Sequence, residues 1–189
     1  MKESIRELII KKRNLLAEED VKEKSRVIGQ LLLKLSEYNN SRTIMFYVSI
    51  GTEVFTHDLI RESLKGKTVV VPKVAHNEIL PSVIIDFDNL VASGKFRIPE
   101  PIGVMGIACK NIDLVLVPGI AYDRIGHRLG YGLGMYDKFL RQVPRAVKIG
   151  LAFDFQVVDK IPAQIHDIPV DYVITEKRLI KCPTELNDA

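Results

Sequence analysis

Between Gly126 and Gly134 the chain places four of its twelve glycines, alternating them with side chains over Gly130-Tyr131-Gly132-Leu133-Gly134. This spacing lets the backbone turn without steric penalty and aim consecutive N–H groups at one spot, which is how a loop holds an anion. A helical pattern follows over 135–142, and its first-turn N–H groups and positive dipole end add to that attraction. Arg124, His127 and Arg128 stand just upstream as further contacts for phosphate. Asp137 lies beside the loop, and a carboxylate next to phosphate calls for a cation between them. Mg²⁺ is the usual choice, because it takes one or two carboxylates together with phosphate oxygens. Asp171, at the head of the last apolar run, is the candidate second carboxylate. No Lys-Ser or Lys-Thr follows the glycines, so this is not a P-loop, and it comes too late in the chain for a dinucleotide fingerprint. The plain alternative is a tight structural turn.

Other residues suit the same chemistry. Lys2 and Arg6 are four apart on one face of an opening helical pattern, where they can grip one anion together or form a solvated basic face. Glu53 falls in a loop after an apolar run, where open α/β sheets place their ligands, and offers acceptors to donor groups on a ring-shaped substrate. Tyr122, Tyr131 and Tyr136 crowd the glycine loop, placed either to stack on an aromatic heterocycle or to pack. His57, His76 and His166 read as surface or capping residues, and no serine, cysteine and histidine set forms a nucleophilic centre. Cys109 and Cys182 lack metal-site spacing and fit a reducing, cytoplasmic compartment.

The elements that must position these residues follow from periodicity. Ile5, Leu8, Ile9, Leu15 and Leu16 repeat at helical spacing with Lys2, Arg6 and Arg13 on another side, and a second helix starts with Asp20 as N-cap and runs to 38–41. Continuous apolar runs at 43–48, 68–71, 112–117, 147–153 and 171–175 predict strands covered on both faces, with a further short strand at 83–85. A helix over 57–64, capped by Thr56 and stopped by Gly66, joins the first two as a parallel crossover. The stretch 94–101 reads as irregular backbone because two prolines and a glycine restrict it. A chain of 189 residues, 47% hydrophobic and 27% charged, without linker or repeat, predicts a single domain over 1–189. Its net charge of +3 is too mild to demand nucleic acid, and no segment reaches a membrane span of about 20 apolar residues. A monomer is expected, with neither nucleic acid nor membrane as partner.

The run Val117-Pro118-Gly119-Ile120-Ala121-Tyr122-Asp123, followed by Gly126-His127-Arg128-Leu129-Gly130-Tyr131-Gly132-Leu133-Gly134-Met135-Tyr136-Asp137, closely resembles the signature of the 5-formyltetrahydrofolate cyclo-ligase (5,10-methenyltetrahydrofolate synthetase) family. Lys2-Glu3-Ser4-Ile5-Arg6, Glu53, the Ile98 to Pro101 segment and Asp171 match its other short patterns. Met135 stands where the family often has tyrosine, and Arg97 where glycine is common. The resemblance implies a three-layer α/β/α sandwich with a mainly parallel sheet, similar to the sugar-phosphate isomerase and CoA-transferase group. It implies an ATP- and Mg²⁺-dependent conversion of 5-formyltetrahydrofolate to 5,10-methenyltetrahydrofolate, releasing ADP and phosphate. ATP would be held by Lys2, Arg6, Arg128, Leu129, Gly130, Tyr131, Gly132, Leu133, Gly134, Met135 and Tyr136. Folate would be held by Val48, Glu53 and the residues Tyr131, Gly132, Leu133, Gly134 and Met135. Catalysis would fall to Arg128, Tyr136 and Asp137, and metal binding to Asp137 and Asp171.

That reaction accounts for the missing nucleophile. A formyl oxygen is a poor leaving group, and phosphorylating it from ATP creates an activated imino-phosphate that the neighbouring folate nitrogen attacks, expelling phosphate. The protein has mainly to align two ligands and neutralise phosphoryl charge. Two rival readings remain at this stage: a non-catalytic module holding nucleotide or RNA phosphates, and a sugar-phosphate isomerase, which needs no ATP.

Overall fold

The computed structural model describes residues 2–93 and 97–183. Helices α1 (Lys2–Asn14), α2 (Glu18–Lys34) and α3 (Ser36–Asn40) precede strand β1 (Thr43–Met45). Helix α4 (His57–Ser63) leads to β2 (Thr68–Ala75), which turns back as β3 (Glu78–Ile84). A separate ladder, β4 (Leu90–Ser93) with β5 (Ile98–Pro101), comes before β6 (Leu114–Val117). The short strands β7 (Ala121–Tyr122) and β8 (Arg128–Leu129) then lead into α5 (Met135–Leu140). Strands β9 (Val147–Leu151), β10 (Tyr172–Ile174) and β11 (Leu179–Lys181) complete the order.

Seven strands form one sheet in the order β11-β10-β9-β6-β1-β2-β3, parallel from β10 to β2 and antiparallel at both edges. Its central strands are short and apolar because both faces are covered, so alternate side chains of one run go to different cores. Ile44, Val69, Leu114, Leu116 and Ile149 pack with Ile28 and Leu32 of α2 and Leu59 and Ile60 of α4. Met45, Val70, Val115 and Val117 pack instead with Phe139 and Leu140 of α5. The result is the expected α/β fold with helices on both faces of a mainly parallel sheet. A third cluster joins Ile5 and Ile9 of α1 to Ile120, Ala121, Leu129 and Ile161, which fixes α1 over the β7–β8 pair. Each buried Ile or Leu contributes about 1.5–3 kcal/mol, so α1 is anchored although its other face stays open.

The structure corrects several boundaries. Helix α2 starts after Ala17, leaving Asp20 inside the first turn, and a break at Leu35 separates it from α3. Leu8 of α1 and Leu15 just after it are exposed, and Leu16 packs against the core. Thr56 occupies the N-cap of α4 but gives it no cap bond, because its hydroxyl donates to Tyr47 O and accepts the Ser49 N–H. The strand expected at 83–85 is a seven-residue edge strand whose hairpin with β2 turns at His76 and Asn77, both at positive φ. Residues 98–101, expected to be irregular, pair with β4 through the Ser93 to Leu90 register, while 94–96 lie outside the described residues. Strand β11, unforeseen, follows what was expected to be the last strand.

Candidate active site

The carboxyl ends of β1, β2 and β6 open on a cleft of about 770 Å³. Its walls come from α1, the loop after β1, the β2–β3 hairpin, β5, the glycine loop with the start of α5, and the segment 164–167. Val117 and Pro118 end β6 at its floor, the position at which open parallel sheets bind ligands.

The first half of the loop signature is a tightly packed hairpin. Strands β7 and β8 pair antiparallel, and the buried Asp123 carboxylate accepts the N–H groups of Ile125, His127 and Ile161 while its Oδ2 meets His127 Nδ1 at 3.2 Å. Gly126, at φ +92°, closes the turn so near the β9–β10 connection that a Cβ there would meet Val170 O at 2.3 Å. Tyr122 is fully buried, donates to Val117 O, and lies where a Cβ on Gly119 or Gly150 would strike its ring. It is therefore the packed member of the three tyrosines, and neither His127 nor Arg124 lines the cleft.

The second half is the ligand-facing half. Tyr131, Gly132, Leu133 and Gly134 are exposed, with Gly132 at φ +95° and Gly134 at φ +64° as N-cap of α5. Helix α5 has six residues rather than the eight expected, so its dipole is weak and the attraction for an anion rests on the loop N–H groups and nearby cations. Lys2 and Arg6 both line the cleft: Arg6 Nε donates to Gly130 O at 3.1 Å and its guanidinium pairs with Glu3, while Lys2 Nζ lies 3.4 Å from Asp167 Oδ2. Burial would raise the Asp167 carboxyl, but the Gln164 N–H and the Lys2 ammonium outweigh it and hold it below the usual range.

Arg128 is buried and donates to Asp137 Oδ1 at 2.6 Å and to Ile168 O. Asp137 Oδ1 also accepts the Ile168 N–H at 3.1 Å, so both bonds end on one oxygen and, among the described residues, none reaches Oδ2, which can face a cation or its water. Asp171 is not brought to this place. It precedes β10, at the amino end of a parallel strand, and its Oδ2 accepts the Lys148 N–H at 2.7 Å and lies 3.9 Å from Lys148 Nζ. Among the described residues no three acidic, histidine or cysteine side chains gather as a metal cage. One carboxylate with an open oxygen fits Mg²⁺ held chiefly by phosphate and water.

At the end of β1, Val48 is buried and Glu53 projects from a loop stapled by the reciprocal Ser49 and Thr56 bonds. Glu53 Oε2 accepts the Ile50 N–H and Oε1 accepts the Tyr131 hydroxyl at 3.1 Å, tying the loop after β1 to the glycine loop. Arg13, buried on the cleft side of α1, donates to Thr52 Oγ1 and to the Tyr131 oxygen. Burial pushes the Glu53 carboxyl above its ordinary range despite opposition from the Ile50 N–H, Arg13 and Tyr131. Burial first, then Glu53, raises the Tyr136 phenol, which stays a neutral donor beside the loop. Met135 lines the same wall.

Sequence reasoning missed Asp167, Gln164 and Arg141, and also the cleft position of His166, which is exposed as expected. None carries a local pattern. Arg13 did carry one, lying seven residues from Arg6 on the same helical face.

Comparisons with known proteins bear on this geometry. The sequence profile of the 5-formyltetrahydrofolate cyclo-ligase family matches residues 1–176. A mouse 5-formyltetrahydrofolate cyclo-ligase is 29% identical over 178 residues, covering 87% of each chain. The solution structure of Aquifex aeolicus 5,10-methenyltetrahydrofolate synthetase superposes with a TM-score of 0.86 at 32% identity, covering 100% of this chain and 99% of that one. A 5,10-methenyltetrahydrofolate synthetase from Mycoplasma pneumoniae gives 0.76 at 28% identity, covering 93% and 98%.

Proposed function

Because this chain belongs to the 5-formyltetrahydrofolate cyclo-ligase family, we propose that its cleft converts 5-formyltetrahydrofolate and ATP into 5,10-methenyltetrahydrofolate, ADP and phosphate. The observation that carries this reading is the placement of the glycine loop: Arg6 is bonded to it at Gly130 O, Lys2 lines the same cleft, and Glu53 is bonded to it at Tyr131. One glycine-rich loop thus borders a cationic region suited to a triphosphate and an acceptor suited to the N–H groups of a reduced folate.

In this reading Lys2, Arg6 and the backbone of 129–136 bind ATP, while Val48, Glu53 and 131–135 bind folate. Mg²⁺ would be held by Asp137 together with phosphate oxygens, and when bound it neutralises charge on the transferring phosphoryl group. Arg128 acts mainly by fixing Asp137, since its guanidinium already joins that carboxylate to Ile168 O. Tyr136, kept protonated, donates toward the phosphates. The terminal phosphoryl passes to the formyl oxygen, and the neighbouring nitrogen attacks the formyl carbon. That nitrogen loses its proton, for which the Glu53 carboxylate, with its raised proton affinity, is the suited acceptor. Phosphate then leaves with the former formyl oxygen.

A cytoplasmic monomer completes the proposal. Cys109 and Cys182 are both free thiols, and among the described residues no helix is long and apolar enough to cross a membrane. The test is direct: the protein with ATP, Mg²⁺ and 5-formyltetrahydrofolate should generate the near-ultraviolet absorbance of the methenyl product. Absence of product with both ligands saturating contradicts the reading.

A further inference from the structure

One wall of the cleft carries a carboxylate that the reaction described above does not use. Glu100 on β5 lines the cleft yet is only 7% exposed. Among the described residues it accepts one hydrogen bond, from the Val74 N–H to Oε1 at a long 3.3 Å. Lys73 next door does not neutralise it, because its ammonium donates to Pro101 O and Ile102 O. No described side-chain oxygen or nitrogen is both fully enclosed and unpartnered, so Glu100 Oε2, which takes no bond from the described residues, is not fully enclosed, and Glu100 lines the cleft. Its surroundings there are Pro72, Val74, Ile79 and Ile98. A carboxylate in such apolar surroundings is costly to bury unless donors reach it.

We propose that Glu100 reads the donor edge of the folate's pterin ring, and so fixes which end of the cleft takes which ligand. The inference rests on the cyclo-ligase reading and adds to it the direction in which the folate lies. A 2-amino-4-oxo ring presents a ring N–H and an exocyclic N–H side by side, two donors matched to the two oxygens of a carboxylate. Adenine cannot substitute: its amino group is flanked by ring nitrogens whose lone pairs would face the carboxylate. The glutamate tail of folate is repelled by Glu100 for the same electrostatic reason. Apolar walls suit the flat faces of the ring and would strip a hydrated ion of its water.

The test measures binding without turnover. Calorimetry without ATP compares 5-formyltetrahydrofolate with its 2-desamino analogue on the wild-type protein, Glu100→Met and Glu100→Gln, with ATP affinity measured separately. Glu100→Met should weaken 5-formyltetrahydrofolate at least tenfold, the loss expected of a charged hydrogen bond, and leave the desamino compound and ATP within about twofold. Glu100→Gln, which keeps an acceptor for the Val74 N–H, should fall between them. Unchanged folate affinity in both variants, or equal losses on both folate compounds, overturns the inference and leaves the cyclo-ligase reading standing. A wild-type protein that binds neither folate compound overturns both.

Discussion

The loop signature divides into a half that is mostly interior and a half that is nearly all surface. Over 117–129, Tyr122, Asp123, Gly126 and Leu129 are buried, and Asp123 alone gathers three backbone N–H groups. Over 131–134 every residue is exposed, and two glycines hold positive φ with no neighbour that a Cβ would strike hard. Glycine thus serves two purposes. In the first half a glycine is required by what lies against it, and in the second by what the backbone must be free to approach.

Matched substitutions test that division, the largest effect first. Gly126→Ala places a methyl 2.3 Å from Val170 O in a backbone region closed to side chains. It should cost at least about 3 kcal/mol of stability, read as a lower melting temperature or denaturation midpoint. Asp137→Ala, at the far end of the exposed half, should lower kcat about a hundredfold through lost phosphoryl neutralisation, with the rate no longer responding to Mg²⁺ in the limiting range. Gly132→Ala meets only the end of the Arg6 side chain, at 3.8 Å. Its strain of about 1–2 kcal/mol should appear with a several-fold rise in the KM for ATP. If Gly132→Ala destabilises as much as Gly126→Ala and leaves that KM unchanged, the two halves are not different in kind. The smallest effect lies outside the loop. Arg97 holds φ +52°, which explains why a glycine would suit the position, and Arg97→Gly should raise stability by about 0.5 kcal/mol once glycine's extra chain entropy is subtracted. A lower melting temperature would contradict that.

What was legible in the sequence was what local pattern determines. The buried parallel strands showed as apolar runs, and the crossover through α4 followed from their spacing. The β2–β3 hairpin was hidden, because Pro72 and Pro81 interrupt both strands and sit opposite each other in the register, and because the turn uses His76 and Asn77 without glycine. The candidate site was legible where the signature is continuous. It was illegible where side chains meet across the chain: Arg13 reaches Thr52 and Tyr131, and Lys2 reaches Asp167. Asp171 shows the opposite case. Its Oδ2 accepts the Lys148 N–H and it does not line the cleft, which its place in an apolar run did not show.

The account's central claim is that one loop holds both ligands so that phosphate is transferred onto the formyl oxygen. The most direct measurement follows a heavy-oxygen label placed in the formyl group of 5-formyltetrahydrofolate through one round of turnover with ATP. The account predicts that the label leaves in inorganic phosphate, in step with methenyl product. Label released to water, with unlabelled phosphate, would contradict it.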